Sequence, residues 1–456
     1  MSGGLDSGRA EPVTAAATSD RAPLPHLAWM VWGIAAFLFL IAFVHRVAPG
    51  VMAKDLMQAF NASGAIVGLL SATYFYAYAG FMVPAGLLLD AYGVRLVMTA
   101  GSAVMGLGAL AMAAAPGTSV LFTGRFLVGL GATVIFIGAL KIAANWFPAS
   151  YFGTLSAVTA TVGVLGALVG TFPLAALIGV VGWRGSFWII GLLTMLGAAF
   201  CLIVVRDHPP GRAEAQAPVP GLRAVMGGMA QVLGNPHTWP PFLAFFFLYS
   251  ATGNLMLWAV PYLKDVYGIS TTRAALYFSA TSVALLVSGP LTGYLSDQVL
   301  RRRKLPYTVL TSCFLVLWIV LVATLGGLPL WGVAVLFFFM GMANAAFVLT
   351  WPIGREVNPP ALAGIAVAVT NLGGFLGAAL TQGPVGAVLD AGWAGVMAGG
   401  ARVYPVSAYR GAFAVCAIFA LISMLMTLLL KETRGVNIYH QLRGPAVPAG
   451  RPAARP

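Results

Sequence analysis

Twelve apolar segments, each long enough to cross a lipid bilayer, are the feature that most limits what this chain can form. They fall near 27–53, 65–89, 95–114, 118–146, 153–179, 186–205, 238–263, 274–296, 307–326, 329–354, 361–389 and 410–430. A membrane-spanning helix needs about 20 predominantly apolar residues. The pattern predicts an all-α membrane protein with twelve transmembrane helices, and it leaves no room for a sizeable soluble domain.

The composition excludes several other classes of protein. Apolar residues make up 60% of the chain and charged residues 8%, against about 45–50% and about 25% in soluble domains. The three cysteines lie in separate apolar segments without a CxxC pair, so they predict neither a disulfide framework nor a metal site. We expect no cofactor, no metal and no nucleic-acid partner.

Lysine and arginine indicate the orientation. With both termini inside, sixteen of these residues fall on the inner side and six on the outer side. Because short cytoplasmic loops are enriched in Lys and Arg, we expect cytoplasmic termini in a bacterial inner membrane. The predicted divisions are a disordered tail at 1–26, a six-helix bundle at 27–205, a cytoplasmic linker at 206–236, a second six-helix bundle at 237–430 and a cytoplasmic tail at 431–456.

An internal repeat relates the two predicted bundles. In GLLLDAYGVR, after span 2, and GYLSDQVLRR, after span 8, three residues recur 207 positions apart: Gly86, Asp90 and Arg95 correspond to Gly293, Asp297 and Arg302. A second pair, WRGSF at 183–187 and YRGAF at 409–413, recurs 226 positions apart. The difference places 19 extra residues in the second half, most simply within 390–408. Because six is an even number, the two halves have the same orientation in the membrane.

The repeated loop has a physical interpretation as a conformational latch. Glycine lets two helix ends approach closely, and the aspartate can make a charge-assisted contact with a neighbouring helix end. The alternative is a tight turn followed by a positive-inside arginine. Two copies at one spacing favour the latch, which would hold one access state of a transporter.

These motifs resemble those of the major facilitator superfamily. GLLLDAYGVR is similar to its signature between helices 2 and 3, and RFLVGLG, which begins at Arg125, is similar to its Arg-and-Gly motif in helix 4. The resemblance implies two parallel six-helix halves and a structural or conformational role for Arg125. The antiporter pattern of helix 5 is only partly present, since Ala167 follows Gly166 and Thr171 follows Gly170.

The segments FVHRVAPGVMAKDLM, YFYAY and LWAVPYLKDVYG are similar to bacterial uptake members of the superfamily, including intraphagosomal amino-acid transporters and organic-anion symporters. The resemblance implies proton-coupled uptake of an organic anion or amino acid by a monomeric secondary transporter that alternates access between two rocking halves. The alternative is efflux of a drug or a siderophore-like metabolite. A membrane enzyme is a third possibility, but the chain has no HExxH or GxSxG motif, and no Lys follows a Gly as in an ATP-binding P-loop.

Basic residues inside the spans are candidates for binding the transported solute. A charged side chain at the bilayer centre costs about 2.5–3.5 kcal/mol on insertion scales, so each one needs a reason. Arg46 lies in a cavity if span 1 continues to Lys54, and at the outer interface if span 1 ends at His45. Lys141 either reaches the same cavity or extends to the inner surface.

The twelve acidic residues fall outside the middle of every span. A positive cavity without a carboxylate favours an anionic solute. The candidates for proton coupling are then His45, whose pKa is ordinarily nearest neutrality, Asp55 and Glu356. Exchange of solutes without a proton is the alternative.

Aromatic and amide residues complete the predicted lining of the binding site. Tyr74 and Tyr78 share one face of span 2, because residues four apart are neighbours on a helix. The same spacing forms a stripe in span 7, and one further amide lies in span 11: Asn254, Trp258, Tyr262 and Asn371. The alternative for these residues is ordinary helix packing.

Overall fold

The computed structural model describes residues 26–209 and 221–442. Twelve helical segments in these ranges are long and apolar enough to cross a membrane. They confirm the predicted all-α fold with twelve spans. The predicted disordered tail, apart from His26, lies outside the described residues.

Six helices form the first half of the protein. They are α1 (His26–Phe60), α2 (Gly64–Tyr92), α3 (Val94–Ala114), α4 (Thr118–Trp146), α5 (Ala149–Val169) and α6 (Phe172–Val204). Helix α1 packs against α4, α5 and α6, and α3 packs between α4 and α6. Large apolar side chains on the outer faces are exposed, as expected for a surface that contacts lipid tails.

The linker between the halves contains a helix, α7 (Leu222–Leu233), which packs against the second half. The spans of the second half are α8 (Trp239–Tyr267), α9 (Thr271–Tyr294), α10 (Lys304–Ala323), α11 (Leu330–Asn344) continued by α12 (Thr350–Glu356), α13 (Ala363–Ala391) and α14 (Val406–Leu428). A short helix, α15 (Tyr439–Leu442), follows. The boundaries predicted for bundles, linker and tails remain predictions.

Two local features differ from the predicted pattern of spans. Helix α5 ends at Val169, whereas the apolar segment continues to residue 179, and the chain then turns sharply at Gly182 within α6. Gly182 has φ +72°, a conformation that glycine adopts without a steric penalty. The inserted segment of the second half contains a hairpin of β1 (Met397–Ala398) and β2 (Ala401–Arg402), the one sheet in the described ranges.

The two halves meet mainly along α2 with α13 and along α1 with α8. Smaller contacts join α9 to α5 and α6. The side chains of α1, α2, α8 and α13 that point inward therefore form the boundary between the halves, where a solute pathway would lie.

Candidate functional site

The centre of the boundary between the halves holds a buried arginine among aromatic rings. Arg46 on α1 is 7% exposed. Its Nε donates a hydrogen bond to the Tyr74 hydroxyl over 3.3 Å. Its guanidinium carbon lies 4.1 Å from the centre of the Phe43 ring, 5.4 Å from that of Tyr78 and 5.3 Å from that of Phe375. Within the described ranges no carboxylate forms an ion pair with Arg46.

A small cavity adjoins Arg46. Its volume is about 10 Å³, which is room for about one water molecule. Both halves line it, with Arg46, Ser71 and Phe75 on one side and Gly253, Met256 and Gln382 on the other. The Gln382 side-chain nitrogen donates to the Gly253 carbonyl over 3.0 Å, while its Oε1 has no partner in the part of the chain that the structure describes. The cavity wall thus offers a cationic donor and an unused acceptor.

Two aspartates of the second half hold the halves together at one end. Asp265 on α8 forms an ion pair with Lys54 of α1 over 2.5 Å, and both side chains are at least nine-tenths buried. Asp390 at the end of α13 accepts hydrogen bonds from the backbone amides of Gly64 and Ala65, each over 2.8 Å. Because these amides begin α2, the carboxylate also lies at the positive end of the helix dipole.

The inserted segment of the second half supports both aspartates. Arg402 and the Tyr404 hydroxyl bind the Asp390 carboxylate over 2.9 Å and 2.7 Å, and the Tyr404 amide donates to Asp265 over 3.1 Å. Burial, followed by the hydrogen bond to Asp390, raises the pKa of Tyr404 well above its usual range. We call Asp265, Asp390, Arg402 and Tyr404, with their partners Lys54, Gly64 and Ala65, the inter-half clasp.

Away from the clasp the halves separate. Gly68 and Gly86 lie on the same face of α2, since 18 residues complete five helical turns. A side chain at Gly68 would collide with the backbone of Gln382 and Gly383 on α13, whereas a Cβ at Gly86 meets no atom within 4 Å. The boundary is therefore closed at the clasp and open at the end that holds Asp90 and Asp297.

The predicted latch loops lie at that open end and make ion pairs within their own halves. Asp90 pairs with Lys141 of α4 over 2.5 Å. Asp297 pairs with Arg303, which also contacts Glu356 over 3.3 Å. Lys141 therefore lies with the latch residues and is not brought together with Arg46. Its predicted role in binding solute stays a prediction.

The first latch loop has a further partner. The backbone amide of Arg95 donates to Asp207 over 2.9 Å, and the Arg95 guanidinium donates to the Leu202 carbonyl. Gly86 and Gly293 have open space where a side chain would lie. Arg302 is exposed, and the neighbouring Arg303 makes the contacts expected of it.

Arg125 and His45 lie beside Arg46 but point away from the cavity. Arg125 is fully buried and donates to the His45 carbonyl over 2.6 Å. The His45 Nε2 lies 3.2 Å from the Thr194 hydroxyl of α6, and its Nδ1 has no partner within the described ranges. Asp55 is partly exposed near the clasp, and one of its carboxylate oxygens, Oδ2, has no partner there either.

The predicted stripe of span 7 packs mostly within the second half. Asn254 donates to the Thr381 hydroxyl of α13 over 3.0 Å. Trp258 and Tyr262 are buried against rings of the clasp region and of α14. Asn371 accepts a hydrogen bond from the Trp351 indole over 3.0 Å. Of the predicted aromatic and amide residues, only Tyr74 and Tyr78 of α2 are brought together with Arg46.

Sequence reasoning missed several important residues, among them Arg303, Asp265, Asp390 and Phe375. The repeat pointed to Arg302, one position too early. Asp265 and Asp390 end their helices next to apolar segments, a position at which a carboxylate can bind another helix end. That signal was present, but their partners are on the other half of the chain.

The sequence matches the model of the Major Facilitator Superfamily over residues 34–382. The chain belongs to the major facilitator superfamily. It is a multi-pass membrane protein and a secondary transporter, so the transporter prediction is confirmed and the membrane-enzyme alternative is wrong.

Relatives of this transporter are distant in sequence. It is 24% identical to the uncharacterised transporter YybO of Bacillus subtilis (strain 168), over 78% of this chain and 87% of that protein. It is 22% identical to the "Probable galactarate/D-glucarate transporter GarP" of Escherichia coli (strain K12), over 79% and 88% of the two chains. Among solved structures, the chain is similar to a bacterial homologue of the human lysosomal transporter Spinster in an inward-facing and occupied conformation. The TM-score is 0.75 at 18% sequence identity, and the match covers 90% of this chain and 97% of that chain. That likeness confirms the fold.

Proposed function

We propose that this transporter takes up small organic anions across the bacterial inner membrane, coupled to protons, by alternating access. The observation that carries the proposal is Arg46, a buried cation between the halves that no described carboxylate neutralises. We propose that the transporter works as a monomer, since helices α1, α2, α8 and α13 of one chain form the boundary between its halves.

The surroundings of Arg46 suit a carboxylate solute. Cation–π contacts contribute about 0.5–2 kcal/mol each, which offsets part of the cost of burying the guanidinium while no anion is bound. A guanidinium presents paired N–H donors that match a carboxylate. The hydroxyls of Tyr74 and Tyr78 and the Gln382 amide add hydrogen-bonding groups for a hydroxylated solute.

The comparison with GarP supports the same class of solute. GarP is named as a probable transporter of galactarate and D-glucarate, which carry two carboxylates and several hydroxyls. Arg46 and the adjoining tyrosines supply one cationic contact and several neutral ones, so we assign the first carboxylate to Arg46. This inference favours organic anions over neutral amino acids and over the efflux of drugs.

The access state follows from orientation. If both termini are cytoplasmic, as the distribution of Lys and Arg indicates, the clasp lies at the outer face and the open end faces the cytoplasm. The structure then corresponds to the inward-facing state, in which solute leaves toward the cell interior. Opening of the clasp and closure around Asp90 and Asp297 would give the opposite state.

Among the three candidates we propose His45 as the coupling group, because it is next to Arg46 in α1. A proton on His45 would add a positive charge one residue from Arg46, which strengthens binding of an anion. Linkage requires that the anion strengthen proton binding equally. Asp55 near the clasp and Glu356 in its ion pair with Arg303 lie farther along the pathway.

The proposal is tested by uptake into proteoliposomes under imposed gradients. Labelled D-glucarate, galactarate, lactate and glutamate are compared with arginine as a cationic control, and a pH gradient and a membrane potential are applied separately. We expect saturable uptake of at least one anion, driven by an inwardly directed proton gradient and weakened in His45→Gln. Uptake of arginine alone, or uptake that no proton gradient accelerates, would contradict the solute class or the coupling respectively.

A further inference from the structure

A proline in α1 leaves a backbone acceptor unused next to Arg46. In an α-helix the N–H of each residue binds the carbonyl four positions earlier. Pro49 lies inside α1 and has no N–H, so the carbonyl of His45 loses its helical partner. Inside a membrane an unsatisfied backbone carbonyl costs several kcal/mol, so another donor has to replace the missing one.

Arg125 supplies that donor from α4. Its Nη1 donates to the His45 carbonyl over 2.6 Å, and its Nη2 lies 3.3 Å from the Arg46 carbonyl. The side chain is 0% exposed and does not line the cavity beside Arg46. Arg125 thus binds the backbone of α1 at His45 and at Arg46.

The same guanidinium also contacts Tyr74, the side-chain partner of Arg46. The Arg125 guanidinium carbon lies 4.8 Å from the centre of the Tyr74 ring. One turn further along α4, Gly129 meets the Tyr74 backbone so closely that a side chain there would collide with it. The Tyr74 hydroxyl in turn accepts from Arg46. Arg125 is therefore connected to Arg46 through its backbone and through Tyr74.

We propose that Arg125 is a positioning residue for Arg46, which replaces the hydrogen bond that Pro49 removes from α1 and does not itself contact the solute. The inference rests on the proposed role of Arg46 in binding an anion. It predicts that the effect of replacing Arg125 depends on the presence of Pro49.

A double-mutant cycle between Pro49 and Arg125 tests this dependence. The four proteins are wild type, Pro49→Ala, Arg125→Met and the double variant, because alanine restores an N–H to the His45 carbonyl. The thermal unfolding temperature is measured for each, together with the KM and maximal rate for D-glucarate uptake or for whichever tested anion the wild type transports. Pro84→Ala in α2 serves as the control proline, combined with Arg125→Met in the same way.

We expect Arg125→Met to raise KM at least tenfold in the wild-type background and no more than about threefold relative to its Pro49→Ala parent. The loss in unfolding temperature should shrink in parallel, and the Pro84→Ala background should give no such rescue. Equal effects of Arg125→Met in the wild-type and Pro49→Ala backgrounds, as expected if Arg125 touched the solute directly, would overturn the inference.

Two safeguards keep the result decisive. If Arg125→Met yields no folded protein, the cycle is repeated with Arg125→Lys, whose ammonium can reach one carbonyl but cannot span both, and an additive cycle there overturns the inference equally. The unfolding temperatures need no solute. A wild type that transports none of the tested anions would therefore refute the proposed function. The unfolding temperatures of the four proteins would still test the contact between Arg125 and α1.

Discussion

Replacing Asp390 by asparagine should open the clasp. The Asp390 carboxylate accepts four hydrogen bonds, two from Arg402 and Tyr404 of its own half and two from the amides of Gly64 and Ala65 across the boundary. Only the last two are lost when the halves separate, so only they stabilise the closed end relative to the open one.

The magnitude follows from those two bonds. A hydrogen bond to a charged group contributes about 1.5–3 kcal/mol and a neutral one about 0.5–1.5 kcal/mol. Asparagine has one acceptor oxygen, so it loses one inter-half bond and weakens the other. The Asp390 side chain is 17% exposed and that of Arg402 27%, so solvent screening reduces the effect. We expect the closed end to lose about 2 kcal/mol, equivalent to a shift of about 30-fold in the ratio of open to closed ends.

Cysteine accessibility measures this ratio. Ser71 lines the small cavity and is 3% exposed, so Ser71→Cys reports access to the centre of the protein. The three native cysteines are replaced by serine, and intact cells are treated with a membrane-impermeant thiol reagent. The labelling rate should rise about 30-fold with Asp390→Asn. The control Asp297→Asn, at the opposite end, should not raise it. An unchanged labelling rate in folded Asp390→Asn protein would refute the reasoning about the clasp.

Three further predictions concern other parts of the pathway. Gly68→Val should speed external labelling of the same cysteine, because the valine side chain would collide with the Gln382 backbone and weaken the closed end. Gly86→Val should slow both labelling and uptake, because the valine would obstruct closure of the opposite end. Asp90→Asn removes a partly exposed ion pair, so it should change the free energy of unfolding by less than about 1 kcal/mol and lower the maximal uptake rate, measured by calorimetry and flux. Tyr78→Phe should raise the KM for an anionic solute several-fold without changing the maximal rate, and a lowered rate at unchanged KM would contradict a role in binding.

The parts of the fold that depend on local sequence were predictable. Apolar length defined the number of spans, and the four-residue spacing of Tyr74 and Tyr78 placed their rings together, 5.9 Å apart. Arg46 was predictable as a buried charge because the apolar segment continues beyond it to Lys54. Each of these conclusions needs only the periodicity of one helix.

The partners of the charged residues were not predictable in the same way. The repeat indicated Arg302 for the second latch loop, but Arg301 adopts φ +50° and the turn delivers Arg303 to Asp297 instead. Lys141 forms an ion pair with Asp90, 51 residues earlier in the chain, and does not line the central cavity. The clasp pairs residues from different halves, and such pairs depend on tertiary packing and on the access state, neither of which leaves a local pattern.

The most direct test of the account is the uptake of a single anionic solute by wild type, Arg46→Lys and Arg46→Ala, reconstituted at equal density. D-glucarate is the first solute to try. If Arg46 binds the carboxylate, KM should rise about tenfold or more in Arg46→Lys, whose ammonium cannot bind both carboxylate oxygens in parallel, and saturable uptake should disappear in Arg46→Ala. Full uptake of an anionic solute by folded Arg46→Ala protein would contradict the account.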